Sequence, residues 1–275
     1  MKQQKKKVRI GIVGCGAIGS RIAKSISKEL KQDCVLSGLY DIDFTKSQEL
    51  ARQVKRATLV KNSLRDLIHS CDFIIEAVKS DETRSIIRQA LLAKKNILAM
   101  SVGKLLNSED LFKLALKNHC TILLPSGAIC GLDAVKAAGL ASISSITLTT
   151  RKPPSGFARS SHIRRLGIDL DNIHSETTLF EGDVDTAVKL FPENINVAAT
   201  LALACGVKDK LHVRIVTAPD LKRNSHEIDM VGDFGRMMSR TENVVCPDNP
   251  KTSYLAVLSA IQTLRQYFRT VIIGT

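Results

Sequence analysis

The sequence predicts an α/β protein: a doubly wound parallel sheet, interrupted by an inserted α+β domain whose sheet bears one open face. Three observations predict this. A glycine-rich turn joins a short β-branched strand to a helix near the start of the chain. Apolar runs then alternate with amphipathic helices as far as Pro125, and beyond it the pattern changes to alternating strands and small-residue helices.

The first strand, VRIGIV (residues 8–13), runs into GCGAIG (14–19) and then SRIAKSISKEL, which reads as a helix. Each glycine has a physical task in a dinucleotide-binding loop. Gly14 permits the tight turn, Gly16 keeps no side chain between backbone and pyrophosphate, and Gly19 lets the helix pack on the strand. The amides of Ala17 and Ile18, at the helix start, offer donors and a partial positive charge to the phosphates. VLSGLYDID supplies a second strand ending at Asp41, about 20 residues past the loop. A carboxylate there accepts from the adenosine ribose hydroxyls and repels a 2′-phosphate. NAD is therefore the favoured cofactor, with NADP possible and Asp43 the alternative carboxylate.

RATLV reads as a short strand, NSLRDLI as a capped helix and CDFIIEAV as a buried strand. SDETRSIIRQALLAKK follows as a helix with Ser80 as its expected N-cap, then NILAMSV as a strand, NSEDLFKLALKNH as a helix and CTILLP as a strand. Glu76-Ala77-Val78 and Ser101-Val102-Gly103 fall at carboxyl ends of strands, where such sheets bind ligands. Past Pro125, SGAICGLDAVKAAGLA opens a helix from a loop like an anion cradle, and SISSITLTTRKPP alternates like an antiparallel strand. LFEGDVDTAVKLFPENINVAATLALACG reads as turn, helix, loop and small-residue helix, and KLHVRIVTAPD and HEIDMVGDFGRMMSRTEN add strands. NPKTSYLAVLSAIQTLRQYF reads as a helix with Pro250 in its first turn, and TVIIGT as a last short strand. Residues 1–124, completed by 249–275, are thus expected to form the nucleotide domain, and 125–248 the inserted one.

The composition is that of a soluble globular chain, 44% hydrophobic and 24% charged. It holds no apolar run of membrane-spanning length, and MKQQKKKVRI does not read as a signal peptide, so the expected location is cytoplasmic. Seven scattered cysteines without a CxxC pair argue against a disulfide framework or a zinc site. A net charge of +13 favours anionic partners. Nucleic acid is the weaker candidate, since the basic residues are dispersed and no recognition module accompanies them; a dinucleotide or dicarboxylate satisfies the same charge.

In order along the chain, GCGAIG, EAV, SVGKL, PSGAICGLDA, TRKPP, LFEGDVDTAVKLFPENINVAATLALA, NSHEI and NPKTSYL with a terminal GT resemble the L-aspartate dehydrogenase family. The resemblance covers most of the chain, and its second-half motifs are more specific than the glycine loop. It departs at Thr217-Ala218-Pro219, where the family often has Asp before the proline, at Lys104, and over GFARSSHIRRLGIDLDNIHS. The resemblance implies a Rossmann-type nucleotide domain, with Ala128 and one of Asn194 and Asn196 at the cofactor and His226 catalytic. Asn196 is preferred because it adjoins the helix-opening Val197-Ala198.

On local grounds alone, a strand-edge histidine such as His226 is more often structural. The family motif tips it to catalysis, where an imidazole exchanges a proton near neutral pH. The reaction so implied is reversible oxidative deamination of L-aspartate to iminoaspartate, then oxaloacetate and ammonia. Arg151, Lys152 and Asn224 are the candidates for the substrate carboxylates, and the open sheet face suggests a homodimer. The alternatives are a related NAD(P)-dependent dehydrogenase or reductase of homoserine dehydrogenase or dihydrodipicolinate reductase type, or a non-catalytic dinucleotide sensor.

Overall fold

The computed structural model describes residues 6–158, 160–192, 196–247 and 249–274, with backbone alone at 249–251. The chain divides into two compact units, Met1–Pro125 with Ala260–Thr270, and Ser126–Ser259 with Val271–Thr275. Among the described residues, no helix is long and apolar enough to cross a membrane.

In the first unit, β1 (Val8–Val13), α1 (Ala17–Lys28), β2 (Cys34–Tyr40) and α2 (Phe44–Gln53) come first. Then follow α3 (Leu64–Ser70), β3 (Phe73–Glu76), α4 (Thr83–Leu92), β4 (Asn96–Ala99), α5 (Glu109–Lys117) and β5 (Ile122–Leu123). The strands make one parallel sheet in the order β2-β1-β3-β4-β5. Parallel strands covered on both faces read as unbroken apolar runs, and Phe73, Ile74 and Ile75 are fully buried in succession. The order reverses between β1 and β3, so the carboxyl ends of these two strands flank the crevice where such sheets take ligands.

The second unit begins with α6 (Leu132–Ala138), β6 (Ile143–Lys152), α7 (Ser161–Arg165), β7 (Thr177–Asp183), α8 (Val184–Leu190) and α9 (Asn196–Cys205). It continues with β8 (Leu211–Thr217), β9 (Asn224–Gly232), β10 (Gly235–Asn243), β11 (Val245–Cys246), β12 (Asn249–Ser253) and α10 (Tyr254–Tyr267), whose second half belongs to the first unit. Its main sheet runs β10-β9-β6-β8-β7. Strand periodicity sorts the side chains. Ile146, Leu148 and Thr150 stand opposite Met230, Ile228 and His226 on the buried face. The alternate residues Thr147, Thr149 and Arg151 stand opposite Asp229, Glu227 and Ser225 on the other face. Charged side chains pair along that face, Arg236 with Asp229 at 2.6 Å and His212 with Glu181 at 3.0 Å.

Several expectations change. RATLV is a 3-10 turn at Ala57–Leu59, and only Val60 bridges to Leu39. Ser80 is not the N-cap of α4: its hydroxyl accepts from the Glu82 amide in the turn before, and Glu82 is the cap. LFEGD is strand rather than turn, and β6 lies parallel to β8 while antiparallel to β9, because it sits inside a mixed sheet. Pro250 lies in β12, paired with β11, not in the first turn of a helix; α10 starts at Tyr254, whose amide bonds to the Val244 carbonyl. Val271–Ile273 form no strand. They lie exposed.

Candidate active site

In the first unit the glycine loop is built by close approach. Gly14 has φ +95°, and a Cβ on it would stand 2.5 Å from the Ala77 carbonyl oxygen. A Cβ on Gly19 would stand 1.9 Å from the Gly14 oxygen, so helix and turn touch backbone to backbone. Gly16 differs: a Cβ there would meet nothing within 4 Å, and as N-cap of α1 it offers no side chain to the first amides. The open space and the uncapped amides of Ala17 and Ile18 fit an anion such as a pyrophosphate.

Asp41 closes the other side. One carboxylate oxygen accepts from the Cys15 amide at 2.7 Å and the other from the Asp43 amide at 2.9 Å. This distinguishes two carboxylates that sequence alone left open. Asp43 caps α2 through the Thr45 amide at 3.2 Å and pairs with Lys46 at 3.3 Å, while Asp41 faces the glycine loop. The Cys15 thiol is pushed up to about 12, by burial first and then by Asp41, and is inert.

Glu76 ends its strand where the sequence places it, but its anchoring role was not foreseen. Fully buried at the end of β3, it accepts from the Val78 amide at 3.0 Å, the Ser101 amide at 3.1 Å, the Ser101 hydroxyl at 2.8 Å and the Thr83 hydroxyl at 3.3 Å. Burial raises its pKa, and these bonds pull the other way. It ties the chain after β3, where Ala77 lies, to the chain after β4. The signal was available: one carboxylate ending an otherwise apolar strand, FIIE.

In the second unit His226 stands in β9 between Thr150 of β6 and Thr241 of β10. It is 5% exposed, and its Nδ1 lies 3.0 Å from Thr150 Oγ1. Lys152 lies two residues along β6 from Thr150, hence on the same face. A loop is laced onto the adjoining edge by alternate residues of β10. Thr241 Oγ1 and Asn243 Nδ2 both donate to the Ala128 carbonyl, at 2.9 and 3.1 Å, and Ser239 Oγ donates to the Cys130 carbonyl at 3.2 Å. A Cβ on Gly127 would touch Val197 at 3.7 Å, so the same loop lies against the first turn of α9. Asn196 opens that helix, exposed; Asn194 lies outside the described residues.

Arg151 requires correction. Its neighbours in β6 point the opposite way, and its guanidinium is engaged by Glu176 at 3.3 Å and Glu227 at 3.5 Å on the far face of the sheet. It does not share a face with His226. Lys152 does, and Asn224, opposite Asn243 at the start of β9, does also.

The histidine ring does not titrate near neutrality, contrary to expectation. Burial, and next the charge of Lys152, push it down to about 3. A group whose folded pKa is depressed from 6.5 is neutral in the native state but takes up a proton on unfolding. That stability is complete above pH 6.5 and is lost as pH falls toward 3. Between pH 7 and 4 wild type should lose about 3 kcal/mol more unfolding free energy than His226→Gln. Urea titrations at the two pH values measure it, and parallel losses in both proteins would rule out a buried neutral ring.

Comparison with known proteins follows the same division. Residues 14–125 match the family model described as homoserine dehydrogenase, NAD binding domain, and residues 133–267 match aspartate dehydrogenase, C-terminal. The L-aspartate dehydrogenase of Methanosarcina barkeri is 44% identical over 271 residues, 98% of this chain and 100% of its own. That of Methanothermobacter thermautotrophicus is 41% identical over 270 residues, 97% of this chain and 98% of its own. Among solved structures, an aspartate dehydrogenase from Thermotoga maritima superposes with a TM-score of 0.72 at 24% identity, covering 98% of this chain and 100% of that one, a likeness of fold.

Proposed function

Because the chain belongs to the aspartate dehydrogenase family, we propose that it catalyses the reversible oxidative deamination of L-aspartate, giving iminoaspartate and then oxaloacetate and ammonia. The observation that carries this reading is His226: a buried histidine, held by Thr150 on the same sheet face as Lys152, within the segment that matches the aspartate dehydrogenase model.

On the first unit, Gly14, Gly16, Gly19 and the amides of Ala17 and Ile18 would hold the NAD pyrophosphate, with Asp41 at the adenosine ribose and Ala77 beside the strand ends. On the second, Ala128 and Asn196, or Asn194, would contact the same cofactor. NAD supplies the hydride acceptor. The chain's own residues bind and orient: Lys152 and Asn224 meet the substrate carboxylates, and His226 acts at the oxygen or nitrogen of the reacting carbon. The charged, open face of the second sheet suits a homodimer, with Val231 and Met238 exposed among its ion pairs. A cytoplasmic enzyme of this kind could feed NAD biosynthesis.

The test is a panel of 2-oxo acids with ammonia, following oxidation of NADH and NADPH. Oxaloacetate should lead in kcat/KM by about tenfold or more. Equal turnover of another 2-oxo acid would overturn the substrate. The same panel reads Asp41: Asp41→Ser should weaken NADH and shift the preference toward NADPH by about tenfold, through lost ribose bonds and lost repulsion. An unchanged ratio would remove Asp41 from the ribose site.

A further inference from the structure

The hydroxyl of Thr150 has one hydrogen-bonding neighbour among the described residues, the Nδ1 of His226 at 3.0 Å. Both side chains are buried, Thr150 at 2% exposure. A buried hydroxyl proton needs an acceptor, and here Nδ1 is the one available. Were the ring to donate from Nδ1 instead, the threonine proton would be left unbonded inside the sheet. The flanking hydroxyl on the other side does not compete: Thr241 Oγ1 lies 2.9 Å from the Ala128 carbonyl and 3.5 Å from the His226 carbonyl, not at the ring. Registration of Thr150 directly opposite His226, and the stiff χ1 of a β-branched residue, hold the pair in place.

We propose that Thr150 is a positioning residue: its hydroxyl donates to Nδ1, fixes His226 as the Nε2–H tautomer, and so presents the ring as a neutral hydrogen-bond donor. This rests on the functional reading above. A hydroxyl differs from the carboxylate of a Ser-His-Asp triad, which stabilises imidazolium. A neutral donor at Nε2 polarises instead, bonding to the 2-oxo oxygen of oxaloacetate, which gains negative charge as ammonia adds, while the proton shed by the added nitrogen passes to that oxygen or to solvent. The ring transfers no proton, and no other group is required to receive one from it.

The tautomer is read directly from long-range proton–nitrogen NMR spectra of the ¹⁵N-labelled protein without substrate, with the ring assigned by its loss in His226→Asn. Nδ1 should resonate as an unprotonated nitrogen and Nε2 as a protonated one. A protonated Nδ1 overturns the proposal. In kinetics, Thr150→Val should lower kcat by about tenfold or more with KM and NADH affinity little changed, and Thr150→Ser should restore most of it. Equal loss in both variants, or normal kcat in Thr150→Val, also overturns it. Should Thr150→Val fail to fold, the serine variant must still show the wild-type tautomer and most of the wild-type kcat. If wild type does not turn over aspartate, the functional reading falls, while the ring spectrum still decides the role of Thr150.

Discussion

His226→Asn is expected to lower kcat by about a hundredfold or more while folding and NADH binding stay close to wild type. The geometry makes this substitution selective. An asparagine amide ends near the position of Nδ1, so it keeps a partner for Thr150 and leaves no buried hydroxyl unbonded, but it does not extend to Nε2. A glutamine is longer and carries an amide toward that position without a titratable group. His226→Gln should therefore retain more turnover than His226→Asn if a neutral donor is what the reaction uses, and equally little if a proton must be carried. Normal turnover per folded molecule in His226→Asn would sink the catalytic assignment altogether. A fall in melting temperature that accounts for the whole loss would assign His226 to structure.

The nucleotide unit was legible because its signals are local. A β-branched strand, a glycine turn and a helix lie within about 20 residues, and parallel strands covered on both faces have to be apolar throughout. What was not legible depends on register. Thr150 and Arg151 are adjacent in sequence and point to opposite faces, so the choice between Arg151 and Lys152 waited on knowing which residue of β6 faces His226. The burial of His226, and with it the collapse of its basicity, arises from strands brought together from residues 143–152, 224–232 and 235–243, which no local pattern reports. Ser80 failed as a cap because Ser80-Asp81-Glu82-Thr83 offers four polar starts to one helix. Pro250 fitted either the first turn of a helix or a short two-stranded ribbon, since proline lacks the amide that would choose between them.

Gly16→Ala and Gly19→Ala should separate cofactor binding from folding within one loop. Gly19 has no room: its added methyl would lie 1.9 Å from a backbone oxygen that cannot swing aside as a side chain tip would. Overpacking of this kind costs about 1–3 kcal/mol or more, and the melting temperature should fall by about 5 °C. Gly16 has φ −68° and ψ −168°, which any residue adopts, and its added methyl would project into open space. Alanine is a poorer N-cap than glycine, so a drop of about 2 °C is allowed. NADH affinity should nevertheless weaken by about tenfold or more, because the methyl occupies the side from which a pyrophosphate must reach the amides of Ala17 and Ile18. Fluorescence titration with NADH and a thermal melt on the same sample measure both quantities. If Gly16→Ala binds NADH as tightly as wild type, the open space in front of α1 is not where the dinucleotide sits.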